Sequence, residues 1–375
     1  MKFIVSSTEL LSHLQVVNRV ISNKNTLPIL DNFLFSLKGN ELTITASDLE
    51  TTLVTSMVLD NVTEGGVTAI PAKVLIETLK NTPEQPLTFD INTENQQILI
   101  QSEHGKYTIV GQNGEEFPSL PDLDGSVSEI SMNSNALLCG IEKTIFATAD
   151  DELRPVMNGV FVEMSTEDVT FVASDAHKLV RYKRTDLRAD DKCSFILPKK
   201  PSGLLRNVLP KGEEAVLIKF DSKNVYFTLP NYMMVCRLVE GNYPAYNSVI
   251  PANNPNKVVI DRIGFLSALK RVSVYSNQAS NLIKLSLSGN NMEVSAQDLD
   301  FSISGKESLA CQYEGDEMAI GFKSLFLIEI LSNLNSDDIV LELSDPTRAG
   351  LLLPLEKDNE QEDVLMLLMP MMVNG

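Results

Sequence analysis

The chain repeats itself at long range, and that repetition limits its fold more than any other feature. The segment TITASDLE (43–50) returns as TFVASDAH (170–177) and, more loosely, as EVSAQDLD (293–300). The aspartates Asp48, Asp175 and Asp298 stand 127 and 123 residues apart. A second segment, AIPAKVLIETL (69–79), is answered by ILPKKPSGLL (196–205) and AIGFKSLFLIEIL (319–331), with Lys73, Lys200 and Lys323 at the same two offsets. A third marker closes each unit: FPSLP at Pro118, YPAYN at Pro244 and LMPMM at Pro370, at intervals of 126 residues. Short strand–turn segments resemble one another in many proteins, which could explain one such series but not three in one register. A unit of ~125 residues is far longer than a solenoid repeat, so each copy is a whole domain.

Within a copy the pattern is constant. A short strand (KFIV, 2–5) leads to Ser7, a candidate N-cap, and to a helix with Leu10, Leu11, Leu14, Val17 and Ile21 at helical spacing. Counterparts run over 133–149 and 261–276. Alternating strands follow, such as LTITA (42–46), then a second helix (72–80, 201–209, 323–334) and further strands. Two helices on antiparallel sheet, three times over, predict an α+β chain with domains at 1–122, 127–248 and 254–375. The connections SLPDLDGSV (119–127) and NSVIPANNPN (247–256) are rich in Pro, Gly, Asn and Asp, as linkers are.

Composition narrows the function. With 43% hydrophobic and 22% charged residues, the chain reads as a soluble globular protein. The longest apolar runs fall short of the ~18 residues of a membrane helix, and Met1–Val5 is too short for a signal peptide, which predicts a cytoplasmic protein. Cys139, Cys193, Cys236 and Cys311 have neither metal-ligand nor redox spacing and are expected to be small buried hydrophobes. Three histidines are too few for a histidine-rich metal site, and neither a GxxxxGK[ST] loop nor a GxGxxG fingerprint occurs; no cofactor is expected.

The charge is unevenly spread. The chain carries −19 overall, yet the six helical windows (8–24, 72–81, 134–149, 198–212, 261–277, 322–334) hold 13 basic residues against five acids. They sum to +8 and everything outside them to −27. Exposed helices are often lysine-rich, but segregation across all six describes a surface that holds a polyanion in one place and rejects it elsewhere. No tryptophan or aromatic platform accompanies these residues, which favours contact with duplex phosphates over base stacking.

The stretch VASDAHKLVRY (172–182) invites a different idea, a hydrolase built on Asp175 and His177. Catalysis needs a nucleophile and base oriented by a third group. The aspartate recurs in all three copies and the histidine in one, so the aspartate is expected to bind backbone N–H groups in a turn. No catalytic residue is assigned. A structural repeat protein that never meets DNA is the other alternative.

Three tandem domains, NTLPIL at the start of the first sheet, SDAHKL and the closing MPM together resemble the bacterial DNA polymerase III beta subunit, the sliding-clamp family. The resemblance runs through the whole chain, domain by domain. It implies a non-catalytic processivity factor, with helices lining a ring through which double-stranded DNA passes. Once helices line a hole, six at ~10 Å spacing make a circle only ~19 Å across, against a duplex on the order of 20 Å wide. Twelve make ~38 Å, with roughly 27 Å clear, so two chains are expected to close head to tail as a homodimer.

The resemblance also implies site residues. A pocket for peptides of the polymerase III alpha subunit, the clamp loader and other clamp-binding proteins would comprise Arg154, Met157, Ser174, Ala176, His177, Lys178, Leu179, Pro244, Ser248, Val249, Lys323, Phe326, Leu367, Leu368, Met369, Pro370 and Met371. Leu, Val and Met side chains suit an adaptable apolar groove. It implies Lys24 and a loop around Asp151–Val156 as facing DNA, and the helix charge adds Arg19, Lys73, Lys80, Lys199, Lys200, Arg206, Lys270 and Arg271. Tyr107 and Ile109 on one side, with Val274 and Tyr275 on the other, would form the dimer contact. The chain departs from well-known members at Pro155 and Val156, where they carry tyrosines, at Ser248, where they carry arginine, and in lacking a terminal arginine.

Overall fold

A computed structural model describes residues 1–22, 24–357 and 359–373; Asn374 and Gly375, the end of the third expected domain, lie outside the described residues. Among the described residues there are six α-helices, two per repeat: α1 (Ser7–Val17), α2 (Ala72–Lys80), α3 (Ser134–Thr144), α4 (Lys199–Val208), α5 (Arg262–Val272) and α6 (Ser324–Asn333). None is long and apolar enough to cross a membrane.

Each first helix starts in the same way. The N-cap is the last residue before it: Ser6 Oγ accepts from Glu9 N at 3.4 Å, Asn133 Oδ1 from Asn135 N at 2.8 Å, and Asp261 Oδ1 from Gly264 N at 2.6 Å. These bonds satisfy amide groups that have no partner inside the helix. Ser7, the cap expected from sequence, is instead the first helical residue. Its hydroxyl turns inward, donates to Pro83 O at 2.9 Å and accepts from Gln85 N at 3.1 Å. Ser134 donates likewise to Pro210 O and Gly212 O, and Arg262 to Ser336 O and Leu331 O. This position ties the start of each first helix to the end of the second.

The first helices are shorter than their periodicity suggests. α1 buries Leu10, Leu14 and Val17 but stops there, leaving Ile21 outside it. α3 and α5 tighten into 3-10 turns at Ile145–Ala147 and Ser273–Tyr275, a common way to end a helix. α4 begins two residues earlier than expected, because Pro201 lies in its first turn, where a missing N–H leaves no helix bond unmade.

Among the described residues all strand pairings are antiparallel and form four sheets. The chain divides into two compact units, Met1–Leu138 with Gly203–Leu238, and Cys139–Ser202 with Val239–Gly375; α3 and α4 run across the division. Each unit holds one nine-stranded sheet that joins two repeats. In the first unit Thr51–Val58 pairs with Tyr232–Arg237, Thr55 opposite Tyr232. In the second, Lys178–Arg184 pairs with Glu362–Leu368, Lys178 opposite Leu368. The repeats are therefore welded by backbone hydrogen bonds as well as connected by linkers. The linkers are themselves pinned: Asp124 N donates to Asp221 Oδ2, and Asn254 Nδ2 to Glu342 O and Ala349 O.

Burial follows the two-residue alternation of the strands. Phe3, Phe35 and Phe89 pack in the first unit, and Phe265, Phe322, Leu327 and Ile330 in the second. Of the cysteines, Cys236 and Cys311 are buried as expected, whereas Cys139 and Cys193 are half-buried; the four form no disulfide among the described residues.

The recurring aspartates have one job. Asp48 Oδ1 accepts from Glu50 N and Thr51 N, Asp175 Oδ1 from His177 N and Lys178 N, and Asp298 Oδ1 from Asp300 N and Phe301 N. Each closes the turn between two strands, the two-residues-on bonding typical of aspartate. Leu49 and Ala176, next in sequence, adopt φ of 77° and 74°. An aspartate committed to two backbone amides is not oriented to serve a histidine.

A candidate peptide groove

Where the central and third repeats share a sheet, alternation sorts their side chains onto two faces. Leu179 lies opposite Leu367, and both pack with Val172, Leu351, Leu365 and Tyr246 in a small apolar cluster. Leu368 points to the other face, fully buried with Ala173, Val180 and Met366 in the core that also holds Leu327 and Ile330 of α6. Leu367 therefore faces the small cluster and its neighbour Leu368 the larger core, because adjacent strand residues face opposite ways.

The 3-10 turn Tyr246–Val249 inserts Tyr246 into the apolar cluster and leaves Ser248 and Val249 exposed at its margin. The Tyr246 hydroxyl donates to Glu163 Oε2 at 2.8 Å; burial, reinforced by that carboxylate, pushes its pKa up to about 12. Ser248 Oγ donates to Ala245 O, and Pro244 O accepts from Tyr246 N, so both expected residues shape the turn as well as its surface. Tyr243 stacks on Phe161 at 4.7 Å beneath.

The segment after Leu368 crosses between two sheets. Met369 N donates to His177 O, and Met371 N to Gly321 O, both at 2.8 Å. Pro370 sits between these anchors, where its missing N–H leaves no orphan donor. Met369 is exposed, while Pro370 and Met371 are half-buried.

Lys178 is placed differently from the expectation. Its side chain is only 5% exposed and its ammonium lies 2.8 Å from Asp175 Oδ2, 3.1 Å from Glu329 Oε2 and 4.4 Å from the Phe326 ring centroid. It is a tie beneath the surface, because the turn closed by Asp175 directs it inward while exposing Ala176 and His177. Burial opposes the charge on Asp175, but hydrogen bonds from Lys178 and from the backbone of Lys178 and His177 hold its carboxyl below the usual range. The exposed His177 ring stacks on Phe326 at 5.8 Å, and Lys323 Nζ covers the same ring at 4.8 Å. Ser174 is also turned into the fold: its hydroxyl donates to Lys178 O and accepts from Ala176 N.

Arg154 and Met157 are held within the loop 150–158. Arg154 Nε donates to Asp151 Oδ2 at 2.8 Å, buried Met157 accepts from Ala149 N through its carbonyl, and Asp151 and Asn158 bond each other. Pro155 opens the 3-10 turn Pro155–Met157, a position suited to proline. Sequence reasoning left Glu329, Tyr243, Tyr246 and Phe161 out of the site. Tyr243 and Tyr246 carried a signal in the YPAYN marker, and Glu329 in AIGFKSLFLIEIL.

Residues 1–121, 131–245 and 247–372 match the profiles of the N-terminal, central and C-terminal domains of the DNA polymerase III beta subunit. The chain belongs to that family. The beta sliding clamp of Haemophilus influenzae is 30% identical over 370 residues, covering 98% of this chain and 99% of the relative. That of Pseudomonas putida is 28% identical over 366 residues, covering 97% and 99%. The crystal structure of the DNA polymerase III subunit beta from Pseudomonas aeruginosa superposes with a TM-score of 0.93 at 27% identity, covering 100% of both chains. This is a family of non-catalytic processivity factors, in agreement with the structural duty of Asp175.

In this beta-subunit chain the basic residues expected to face DNA differ in their availability. Arg19, Lys24, Lys73, Arg206 and Lys270 are exposed, as is Lys200. Lys80 donates to Glu77 on its own helix at 2.8 Å, and half-buried Lys199 lies 3.4 Å from Asp150. Arg271 is committed to Glu307 through two bonds of 2.7 and 2.6 Å, so a phosphate would have to displace a carboxylate there.

The four residues expected at a dimer contact lie on or beside sheet edges. Lys106–Val110 is the outer strand of the five-stranded sheet and exposes Tyr107 and Val110, with Ile109 half-buried. Ile303–Ala310 is the outer strand of the four-stranded sheet. Beside it stands exposed Val274, while Tyr275 lies across Gly305, where an added Cβ would come within 2.6 Å of its ring. Leu299, Phe301 and Ile303 are also exposed here, at 80%, 74% and 40%, and were missed from sequence. Exposed apolar edge strands require a partner or invite aggregation.

Proposed function

We propose that two copies of this chain close head to tail into a ring around duplex DNA and tether the replicative polymerase to it. The domains that serve this are 1–122, 127–248 and 254–375. The observation that carries the dimer is the pair of exposed edge strands, Lys106–Val110 in the first domain and Ile303–Ala310 in the third, each with apolar side chains. Pairing one edge with the partner's other edge satisfies both rows of backbone groups and repeats by two-fold symmetry. Arg19, Lys24 and the exposed helix lysines then supply sequence-independent phosphate contact in a cytoplasmic protein that otherwise repels nucleic acid.

The groove floored by Leu179 and Leu367 and edged by Val249, His177 and Met369 accepts hydrophobic peptide segments of the polymerase III alpha subunit, the clamp loader and other clamp-binding proteins. Removing 369–375 is expected to abolish binding of an alpha-subunit peptide while leaving the dimer intact. The ring is tested by loading the protein on nicked circular DNA and then linearising the circle. Loss from the free ends is expected; retention after cutting refutes encirclement. A native mass of one chain, 41.4 kDa, refutes the dimer.

A further inference from the structure

We infer that Gly321 is a positioning residue for the peptide groove: it seats the segment Met369–Val373, and its lack of a side chain sets peptide affinity. The inference rests on the groove assigned above. Gly321 lies in the strand Met318–Lys323, whose Ile320 and Phe322 face the core, so position 321 faces outward. Lys284 is its cross-strand partner on one side. On the other, Met371 forms an isolated antiparallel bridge with it and donates its N–H to Gly321 O at 2.8 Å.

The approach is closer than any side chain permits. A Cβ on Gly321 would stand 2.7 Å from Met371 O, 2.7 Å from Val373 Cγ2 and 2.9 Å from Leu282 Cδ1. The first of these is backbone and cannot swing aside. The backbone at Gly321 has no positive φ, so conformation alone does not demand glycine here; close approach does. The other anchor, Met369 N to His177 O, lies two residues upstream. From one anchor to the other, exposed Met369 and half-buried Pro370 form one wall of the groove. Releasing the Gly321 anchor leaves that wall held at one end, and a peptide must then order it on binding.

The sign of the effect distinguishes this role from a general one. Ala is favoured over Gly in a strand when space allows. Gly321→Ala should therefore lower the melting temperature of the full chain, yet be neutral or slightly stabilising in a chain ending at Leu368. In the full chain, Gly321→Ala should weaken binding of a fluorescein-labelled alpha-subunit peptide at least tenfold with the dimer mass unchanged, and the Met371 amide should exchange hydrogen faster. Unchanged peptide affinity overturns the inference, as does equal destabilisation with and without the tail. If the unmodified chain binds no peptide, the groove assignment fails instead, and slow Met371 exchange that survives Gly321→Ala then overturns the seating role separately.

Discussion

Lys178→Met removes a buried cation while keeping the length of the side chain, and its cost can be worked from the contacts. Lys178 is 5% exposed, and its two carboxylate partners differ: Asp175 is 15% exposed and Glu329 46%. Breaking a buried ion pair by deleting one partner costs about 3–5 kcal/mol, because the other charge is left uncompensated. Glu329 can turn to water, so most of the penalty falls on Asp175, whose second oxygen loses its ammonium. We expect a loss of about 3 kcal/mol. For a unit of 201 residues that lowers the melting midpoint by about 6–12 °C. With no tryptophan in the chain, far-ultraviolet circular dichroism is the suitable assay. Adding Asp175→Asn should restore most of the stability, since Asn keeps the Oδ1 acceptor for His177 N and Lys178 N and carries no charge. A midpoint within 2 °C of the parent for Lys178→Met, or no recovery in the double variant, refutes the assignment of Lys178 as a buried tie.

Two further outcomes follow from the helix starts and from the same turn. Ser7→Ala should destabilise by about 1–2 kcal/mol, because Gln85 N loses its acceptor and Pro83 O its donor. Ser6→Ala should cost only about 0.5 kcal/mol, given its long 3.4 Å cap bond; urea unfolding of the two variants in the reverse order would reject the inward role of Ser7. The Asp175 carboxyl titrates lower in the folded chain than the ordinary value of about 3.9. Its stabilisation is thus complete above that ordinary value and is lost as pH falls through the depressed one. Asp175→Asn should therefore flatten the fall in melting midpoint below about pH 4, and parallel curves for the two proteins would contradict this.

What the sequence revealed and what it hid divide by the range of the interactions. The aspartate turns were legible because an aspartate side chain reaches amides only two or three residues on, so the same short segment makes the same turn wherever it occurs. The two helices per repeat were legible from spacing, although their ends were not, since the tightening after Thr144 and Val272 depends on what the last turn packs against. Sheet membership was hidden. TTLVTSMV and YMMVCR each read as a strand, but nothing in either states that Thr55 will stand opposite Tyr232.

The groove shows why that matters. It exists because Lys178–Arg184 meets Glu362–Leu368 at the weld between two repeats. Family resemblance named Leu367 and Leu368 alike, where alternation separates them. It placed Lys178 at the surface, where the fold brings Glu329, 151 residues away in sequence, beneath it. Gly321 was quoted in the repeat marker AIGFKSLFLIEIL but given no role, since a glycine's importance lies in what approaches it, and the approaching Met371 is 50 residues distant. An apolar cluster built at a junction between repeats is thus the part of such a chain least visible to local pattern, because its geometry is owned by neither repeat alone.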